Sequence, residues 1–446
     1  MRCSSADFCP FFRQILLRTS STTEFSRHRS ATMKIALLGQ FGSGNSGNDG
    51  SLEAMIDILQ SRIPDVELHS ICANPRAVAD RYGIEASWHG RLVLQNSLLC
   101  KLSKLLGDVP RNVLSVFQMM RTLKGVRWLV VPGTGILDDF QDTAFGWPFV
   151  VFRWCLIARL LRVKIAFVSI GAGPLHHPFS RRFARSALKG ASYRSYRDEF
   201  TKNFLGSIGV EVKGDFVFPD IAFNLPRPPM HQIDSTAHKT VGVGVMNYRG
   251  WTKNDPNAEL IYKTYQEKLS RFIIYLIDRG FRVRLLTGDI GDQVAVSEMA
   301  QKVRGSMSKD DTDKGAVIFE ETTDLHQLMQ QIEQTDMVVA SRYHNIVCAL
   351  KMGKPLISIG YNDKNDYLMA EFNQIPFCQR IETLDLDRLQ GQFERLLQNY
   401  FLIKSEIKAA NVGISIRSNE QNHILLEKIN ALTPVSSENA MLARTR

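Results

Sequence analysis

From Lys34 onward, short apolar runs alternate with stretches of helical periodicity, and glycine recurs at the junctions. The run Lys34–Leu38 ends in Gly39, and behind it Leu52, Met55, Ile56 and Leu59 fall on one helical face. Similar runs occupy 66–71, 127–131 (ending at Pro132 and Gly133) and Lys164–Ile170 (ending at Gly171). Polar residues do not cut them in alternation, which predicts strands covered on both faces. Their alternation with helices predicts a parallel, doubly wound α/β sheet. The stretch 224–240 is rich in proline and polar residues, and after it the pattern restarts. Strands are predicted at 240–245, 281–286, Val317–Phe319, Met337–Ala340 and 355–359, with a helix over 260–277 and mostly helix over 385–432. Residues 305–311 read as an exposed polar loop.

Two Rossmann-like domains are therefore expected, 33–225 and 240–400, joined by a linker at 226–239 and followed by a C-terminal helix and tail at 401–446. A length of 446 residues fits two cores better than one. Residues 1–32 differ from the rest, with Arg2, Arg13, Arg18, Arg27 and Arg29 against Asp7 and Glu24, and many Ser and Thr. They read as a disordered or non-native extension or as a targeting peptide, and 441–446 as a frayed end. The longest apolar stretch, 147–170, is interrupted by Arg153, Arg159, Arg162 and Lys164. It fails as a membrane span, which needs about 20 nearly uncharged residues, and reads as a helix feeding a buried strand.

A net charge of +10 and a pI near 9.2 favour anionic partners: phosphorylated metabolites, nucleotide-linked sugars, acidic lipid headgroups or nucleic acid. No basic run interleaved with aromatics occurs, which argues against nucleic acid. The seven cysteines (Cys3, Cys9, Cys72, Cys100, Cys155, Cys348, Cys378) form no CxxC pair. This fits a reducing compartment and supplies neither a disulfide framework nor a zinc-site spacing.

In open parallel sheets ligands sit at the carboxyl ends of the strands, so chemistry is sought in the loops that follow them. The first loop carries Gly42, Gly44, Asn45, Gly47 and Asp49. With a helix predicted to begin near Ser51, its formal GxGxxG is too long for a dinucleotide turn. Asn45 and Asp49 are placed to face the cleft; a merely structural glycine turn is the ordinary alternative. The second loop holds Gly133 and Gly135, with Asp138 and Asp139 either in the cleft or capping a helix. The third holds Gly171 and Gly173, followed by His176 and His177, which are ligands or simply exposed. Arg197 either clamps an anion or pairs with Asp198. The sharpest signal is Ser341-Arg342-Tyr343-His344-Asn345 directly after a buried strand, with Lys364 beyond the next one. It reads as an anion site with a titratable group beside it.

Together these pieces resemble the polysaccharide pyruvyl transferase family from Met33 to about Asn399. The matching residues are the first loop up to Leu52, Gly133 to Asp139, Gly171 to Leu175, Arg197-Asp198 and Asp220. Ser341-Arg342-Tyr343-His344, Gly353-Lys354-Pro355, Tyr361 and Lys364 complete the match. The chain departs where the family usually shows Asn-x-Gly-Asp-Glu, with Asn48 and Asp49 after Gly47, and also at Thr134 and Thr201. The resemblance implies two Rossmann-like domains facing a cleft, like GT-B glycosyltransferases. It implies a phosphoenolpyruvate donor, a saccharide or lipid-linked saccharide acceptor, ketal formation and phosphate release, with no cofactor and no metal. On it, Arg342 and His344 belong at the donor site in the second domain, joined by Arg197, Lys364 and Ser341. His344 is then the acid, and Asp49 activates the acceptor hydroxyl. A cytoplasmic location follows, with room for peripheral contact at the inner membrane face. Two alternatives stay open: a GT-B-like glycosyltransferase or nucleotide-sugar epimerase, against which stands the lack of a paired-glutamate motif, and a non-catalytic binding relative in polysaccharide assembly.

Overall fold

The structure is a computed structural model and describes residues 32–91, 108–143, 145–229, 239–307 and 315–431. The expected N-terminal extension, most of the linker, much of the 305–311 loop and the frayed end lie outside them. The first half runs β1 (Lys34–Leu38), α1 (Ser46–Arg62), β2 (Glu67–Cys72), α2 (Pro75–Tyr82), β3 (Glu85–Trp88) and α3 (Val109–Thr122). It continues with β4 (Trp128–Pro132), α4 (Trp147–Leu160), β5 (Lys164–Ile170), α5 (Pro178–Leu188), β6 (Tyr193–Tyr196), α6 (Glu199–Ser207) and β7 (Phe216–Val217). Its strands pair in the order β3-β2-β1-β4-β5-β6-β7, all parallel. The central strands β1, β4 and β5 are almost wholly buried, as unbroken apolar runs require.

The second half repeats the plan with β8 (Thr240–Gly244), α7 (Ala258–Asp278), β9 (Arg282–Leu286), α8 (Gln293–Ser306), β10 (Val317–Phe319), α9 (Leu325–Glu333) and β11 (Met337–Ala340). Then come α10 (Tyr343–Lys351), β12 (Leu356–Gly360), α11 (Asp363–Glu371), β13 (Cys378–Arg380), α12 (Leu386–Gln398) and α13 (Tyr400–Asn430). The order β10-β9-β8-β11-β12-β13, again parallel, is the doubly wound arrangement. Both sheets reverse direction of winding beside their first strand, between β1 and β4 and between β8 and β11, and such a switch point opens a crevice at the strand ends. Gly305 and Ser306, expected in a loop, instead complete α8.

α13 spans both halves. Its buried Gln421 bonds Ser169 Oγ and Ser195 Oγ at 2.7 and 3.0 Å in the first half. Asn411 donates to the Leu350 carbonyl at 2.7 Å in the second. Buried amides with every partner inside the protein fix such a helix in register, because shifting it would strand polar groups. Among the described residues no helix is long and apolar enough to cross a membrane, and Cys72, Cys155, Cys348 and Cys378 are free thiols.

Candidate active site

The loops after β1, β4, β6, β9, β11 and β12 converge on a cavity of about 500 Å³, lined from the first half by Asn45, Gly135, Asp138 and Arg197 and from the second by Asp289, Arg342, His344 and Lys364. A larger groove, about 780 Å³, runs along α7 and α8. It is walled by surface ion pairs such as Arg249–Glu259 that satisfy one another, and it lies away from the strand ends.

The first loop closes the cavity differently from the sequence expectation. α1 begins at Ser46, not near Ser51, because Asn45 caps it: Oδ1 accepts from the Gly47 and Asn48 amides, both at 3.1 Å. Gly47 therefore lies inside the helix, and the loop is shorter than expected. A dinucleotide turn would press this glycine on its own strand. Here a Cβ would fall 1.9 Å from His344 Nδ1, so the glycine admits a histidine from the other half. Asn45 Nδ2 also donates to Asp289 Oδ2 at 2.8 Å, Ser46 Oγ to the Gly288 carbonyl at 2.7 Å, and the Ile290 amide to the Gly44 carbonyl at 2.9 Å. The two halves are thereby stitched along this edge. Gly42 and Gly44 hold positive φ of 69° and 91°, which side chains rarely adopt.

Cations crowd the floor. Arg197, 5% exposed, stacks over the Tyr343 ring at 4.2 Å. Its Nη1 lies 3.6 Å from Asp220 and its Nε 3.4 Å from Asp198, and that Nε has no hydrogen-bond partner. Both sequence alternatives for Arg197 thus coexist: it faces carboxylates and lines the cavity. Burial opposes its charge, yet Tyr343, Asp198 and Asp220 hold its pKa above the ordinary value. Gly171 makes room for it, since a Cβ there would sit 2.4 Å from the guanidinium carbon. Lys364 is buried, its Nζ 4.7 Å from the Tyr361 ring centre, with no carboxylate at ion-pair distance among the described residues. Arg342 commits Nε and Nη2 to Asp292, each at 2.7 Å, and leaves Nη1 3.7 Å from Asp289. This buried bidentate pair orients the arginine as well as neutralising it.

His344, on the first turn of α10, is surrounded by these cations. Burial, then Arg197, Lys364 and Arg342, lower its pKa to about 3. Its Nε2 lies 3.9 Å from Asp220 Oδ2, and neither atom has a hydrogen-bond partner. Burial also raises the Asp220 pKa, against the pull of Arg197. Asp138 faces the same group. Neither it nor Asp139 caps a helix. Asp138 Oδ1 accepts weakly from the Phe140 amide at 3.3 Å, whereas Asp139 Oδ2 accepts from the His176 and His177 amides at 2.6 and 3.1 Å. Burial raises the Asp138 pKa to about 6 despite Lys364 and Arg197, which suits a proton acceptor near neutrality.

Other sequence candidates fall elsewhere. Asp49 accepts from the Gly42 amide at 2.7 Å and lines a separate pocket of about 210 Å³ with Gly42, Gly44, Arg81 and Tyr82. Ser341 is buried against the Tyr265 hydroxyl at 3.0 Å and does not line the cavity. His176 and His177 are exposed. Gly133 (φ +40°) lies against Ile221, and Gly173 (φ +76°) against Phe204, both behind the cavity. Sequence reasoning missed Asp289 and Asp292. The signal was present, since two acidic residues flank Ile290-Gly291 three residues beyond a buried strand. Among the described residues no group of three His, Cys, Asp or Glu side chains could hold a metal ion.

This arrangement has relatives. The amylovoran biosynthesis protein AmsJ of Erwinia amylovora is 21% identical over 436 residues, covering 90% of this chain and 98% of that protein. Among solved structures, a UDP complex of S. aureus MnaA is 13% identical with a TM-score of 0.58, covering 90% of this chain and 96% of that one. Anabaena HepE in complex with UDP and glucose is 14% identical with a TM-score of 0.54, covering 90% and 100%. At such identities these structures establish a GT-B-like two-domain fold and nothing about ligands. The family model for polysaccharide pyruvyl transferase matches residues 45–363, from the Asn45 that caps α1 to the residue before Lys364. The chain belongs to the polysaccharide pyruvyl transferase family and is a transferase.

Proposed function

We propose that the cavity binds phosphoenolpyruvate and transfers its pyruvyl group to hydroxyls of a polysaccharide or its precursor, forming a ketal and releasing phosphate. The observation that carries this reading is the set of three cations, Arg197, Lys364 and Arg342, around a neutral His344 at the strand ends. Phosphoenolpyruvate brings a carboxylate and a phosphate joined through one carbon, which matches several cations packed closely. Its charge favours protonated His344, so donor binding takes up a proton. His344 then protonates the methylene carbon and leaves a cationic centre at C2. One sugar hydroxyl attacks that centre and gives its proton to Asp138. The C2–O bond to phosphate breaks, the second hydroxyl closes the ketal, and its proton returns to His344. The proton on Asp138 leaves with phosphate or solvent, which balances the step. Asp138 is preferred to Asp49 as base because it lines the cavity.

Two tests follow. In a thermal-shift comparison, phosphoenolpyruvate at about a hundred times its Kd is expected to stabilise the protein by roughly 2.7 kcal/mol. A shift with UDP-sugars and none with phosphoenolpyruvate would favour instead the nucleotide-sugar chemistry of the fold's neighbours. Second, at saturating donor, where His344 already holds its proton, kcat should rise with pH as Asp138 loses its own. Asp138→Asn should abolish that limb; an unchanged profile removes Asp138 as the base.

A further inference from the structure

Beside the cavity mouth, α4 and α5 present a face the reaction does not use. Phe145, Phe149, Phe152, Phe179 and Phe183 form one cluster of rings in contact, with Phe183 at its centre 5.8, 4.9, 5.2 and 6.4 Å from Phe145, Phe149, Phe152 and Phe179. Phe145 is 57% exposed and Phe179 53%, and Leu156 and Leu160 extend the apolar strip along α4. Side chains of this size left outward in a cluster mark an interaction surface, unlike scattered exposed residues.

The charges that α4 and α5 themselves carry are all of one sign. α4 and α5 carry Arg153, Arg159, Arg181, Arg182 and Arg185 and no acidic residue. Where they bond, Arg153 meets the Met119 sulfur, Arg159 the Ser186 and Lys189 carbonyls, and Arg181 the Leu175 carbonyl. Among the described residues none of the five is in an ion pair. Aromatic rings flanked by unpaired arginines are the composition of a surface that lies in a bilayer interface, with rings among acyl chains and guanidinium groups at anionic headgroups. A second copy is a poor occupant, because a twofold contact would set these arginines against themselves.

We infer that the Phe145–Phe183 cluster and its flanking arginines dock this protein on anionic phospholipid bilayers. The face borders the cavity: Trp147, the first residue of α4, lines it, as does Asp142, which accepts from the Trp147 amide at 3.0 Å. Docking therefore brings the cavity mouth to the membrane plane, whatever the donor proves to be.

The test is flotation of the full chain with vesicles of phosphatidylcholine containing about 30% phosphatidylglycerol, against phosphatidylcholine alone. Binding to the anionic vesicles is expected to be at least about tenfold stronger and to fall with salt. Phe145→Ser with Phe179→Ser should weaken it by about tenfold or more. Arg181→Gln, Arg182→Gln and Arg185→Gln together should weaken it by on the order of a hundredfold, with thermal melting unchanged in either set. Three results would each overturn the inference: no flotation of the wild-type protein, flotation unaffected in folded variants, or a concentration-dependent dimer in sedimentation that the phenylalanine variant abolishes. If the phenylalanine variant does not fold, the exposed arginine set decides alone.

Discussion

Replacing His344 by alanine is expected to lower turnover by roughly a hundredfold to ten-thousandfold, read as phosphate release at saturating phosphoenolpyruvate and acceptor. The ring is the titratable group that cations surround on one side and Asp220 approaches on the other. Its loss leaves the cations in place, so donor binding should persist while protonation of the methylene carbon fails. The effect then appears in kcat with KM nearly constant, the pattern of a group acting in the transition state. Folding should survive, because His344 Nε2 has no hydrogen-bond partner to lose. Near-normal turnover would remove His344 from the mechanism. Proton uptake gives a second reading of the same residue. His344 is neutral in the free protein at pH 7, with a pKa of about 3, and the donor's charge moves it upward. Binding should therefore tighten as pH falls toward neutrality from above. The binding enthalpy should differ between buffers of different ionisation enthalpy, and this difference should vanish in His344→Ala.

Arg197→Met should cost about 3–5 kcal/mol of folding stability in urea denaturation, together with donor binding. Arg197 is buried between two carboxylates, Asp198 and Asp220, whose side chains are 6% and 0% exposed. Removing the cation leaves both without compensation. Nothing polar replaces it over the Tyr343 ring, where the guanidinium now stacks at 4.2 Å. The pH dependence follows from Asp220. Burial raises its folded pKa above the unfolded value, so the folded state holds the extra proton and is favoured at low pH, an advantage lost as pH rises through the folded pKa. The penalty in Arg197→Met should accordingly shrink on acidification. His344 acts oppositely in both proteins: its lowered pKa gives stability that is full above about 6.5 and falls as pH drops toward its folded value. Arg197 is one of the cations that hold the His344 pKa down, so its removal lessens that contribution, and this too shrinks the penalty of Arg197→Met on acidification. Arg197→Lys restores charge without the planar fork and should recover part of the stability but little of the donor affinity. A loss below about 1 kcal/mol in Arg197→Met would mean that the cation serves the ligand alone.

The doubly wound fold was readable because its central strands are continuous apolar runs closed by glycine or proline. Lys34–Leu38, Lys164–Ile170, Val317–Phe319 and Met337–Ala340 coincide with observed strands. The short edge strand β7 and the partly exposed β3 carry no such run and left no periodic signal. The start of α1 was misplaced for a different reason. Ser46 to Gly50 has poor helix propensity, and the helix forms there because Asn45 caps it and the Gly288–Asp289 loop holds it, both tertiary effects. Arg342, Arg197 and Lys364 were visible as cations following strands, with His344 as a titratable group beside them, and the structure brings all four to one cavity. Local sequence could not say that Gly47 faces His344 across the halves, or that Asp49 points to a neighbouring pocket. Nor could it distinguish Asp138 from Asp139, adjacent residues of one loop whose carboxyls take different roles.

The most direct measurement is incubation of the full chain with phosphoenolpyruvate and a panel of saccharide and lipid-linked saccharide acceptors. Phosphate would be assayed alongside mass spectrometry of each acceptor. The expected result is acceptor-dependent phosphate release, with one pyruvyl unit added per phosphate and both signals lost in His344→Ala. Acceptors left unmodified while a UDP-sugar is consumed by the same protein would contradict the account.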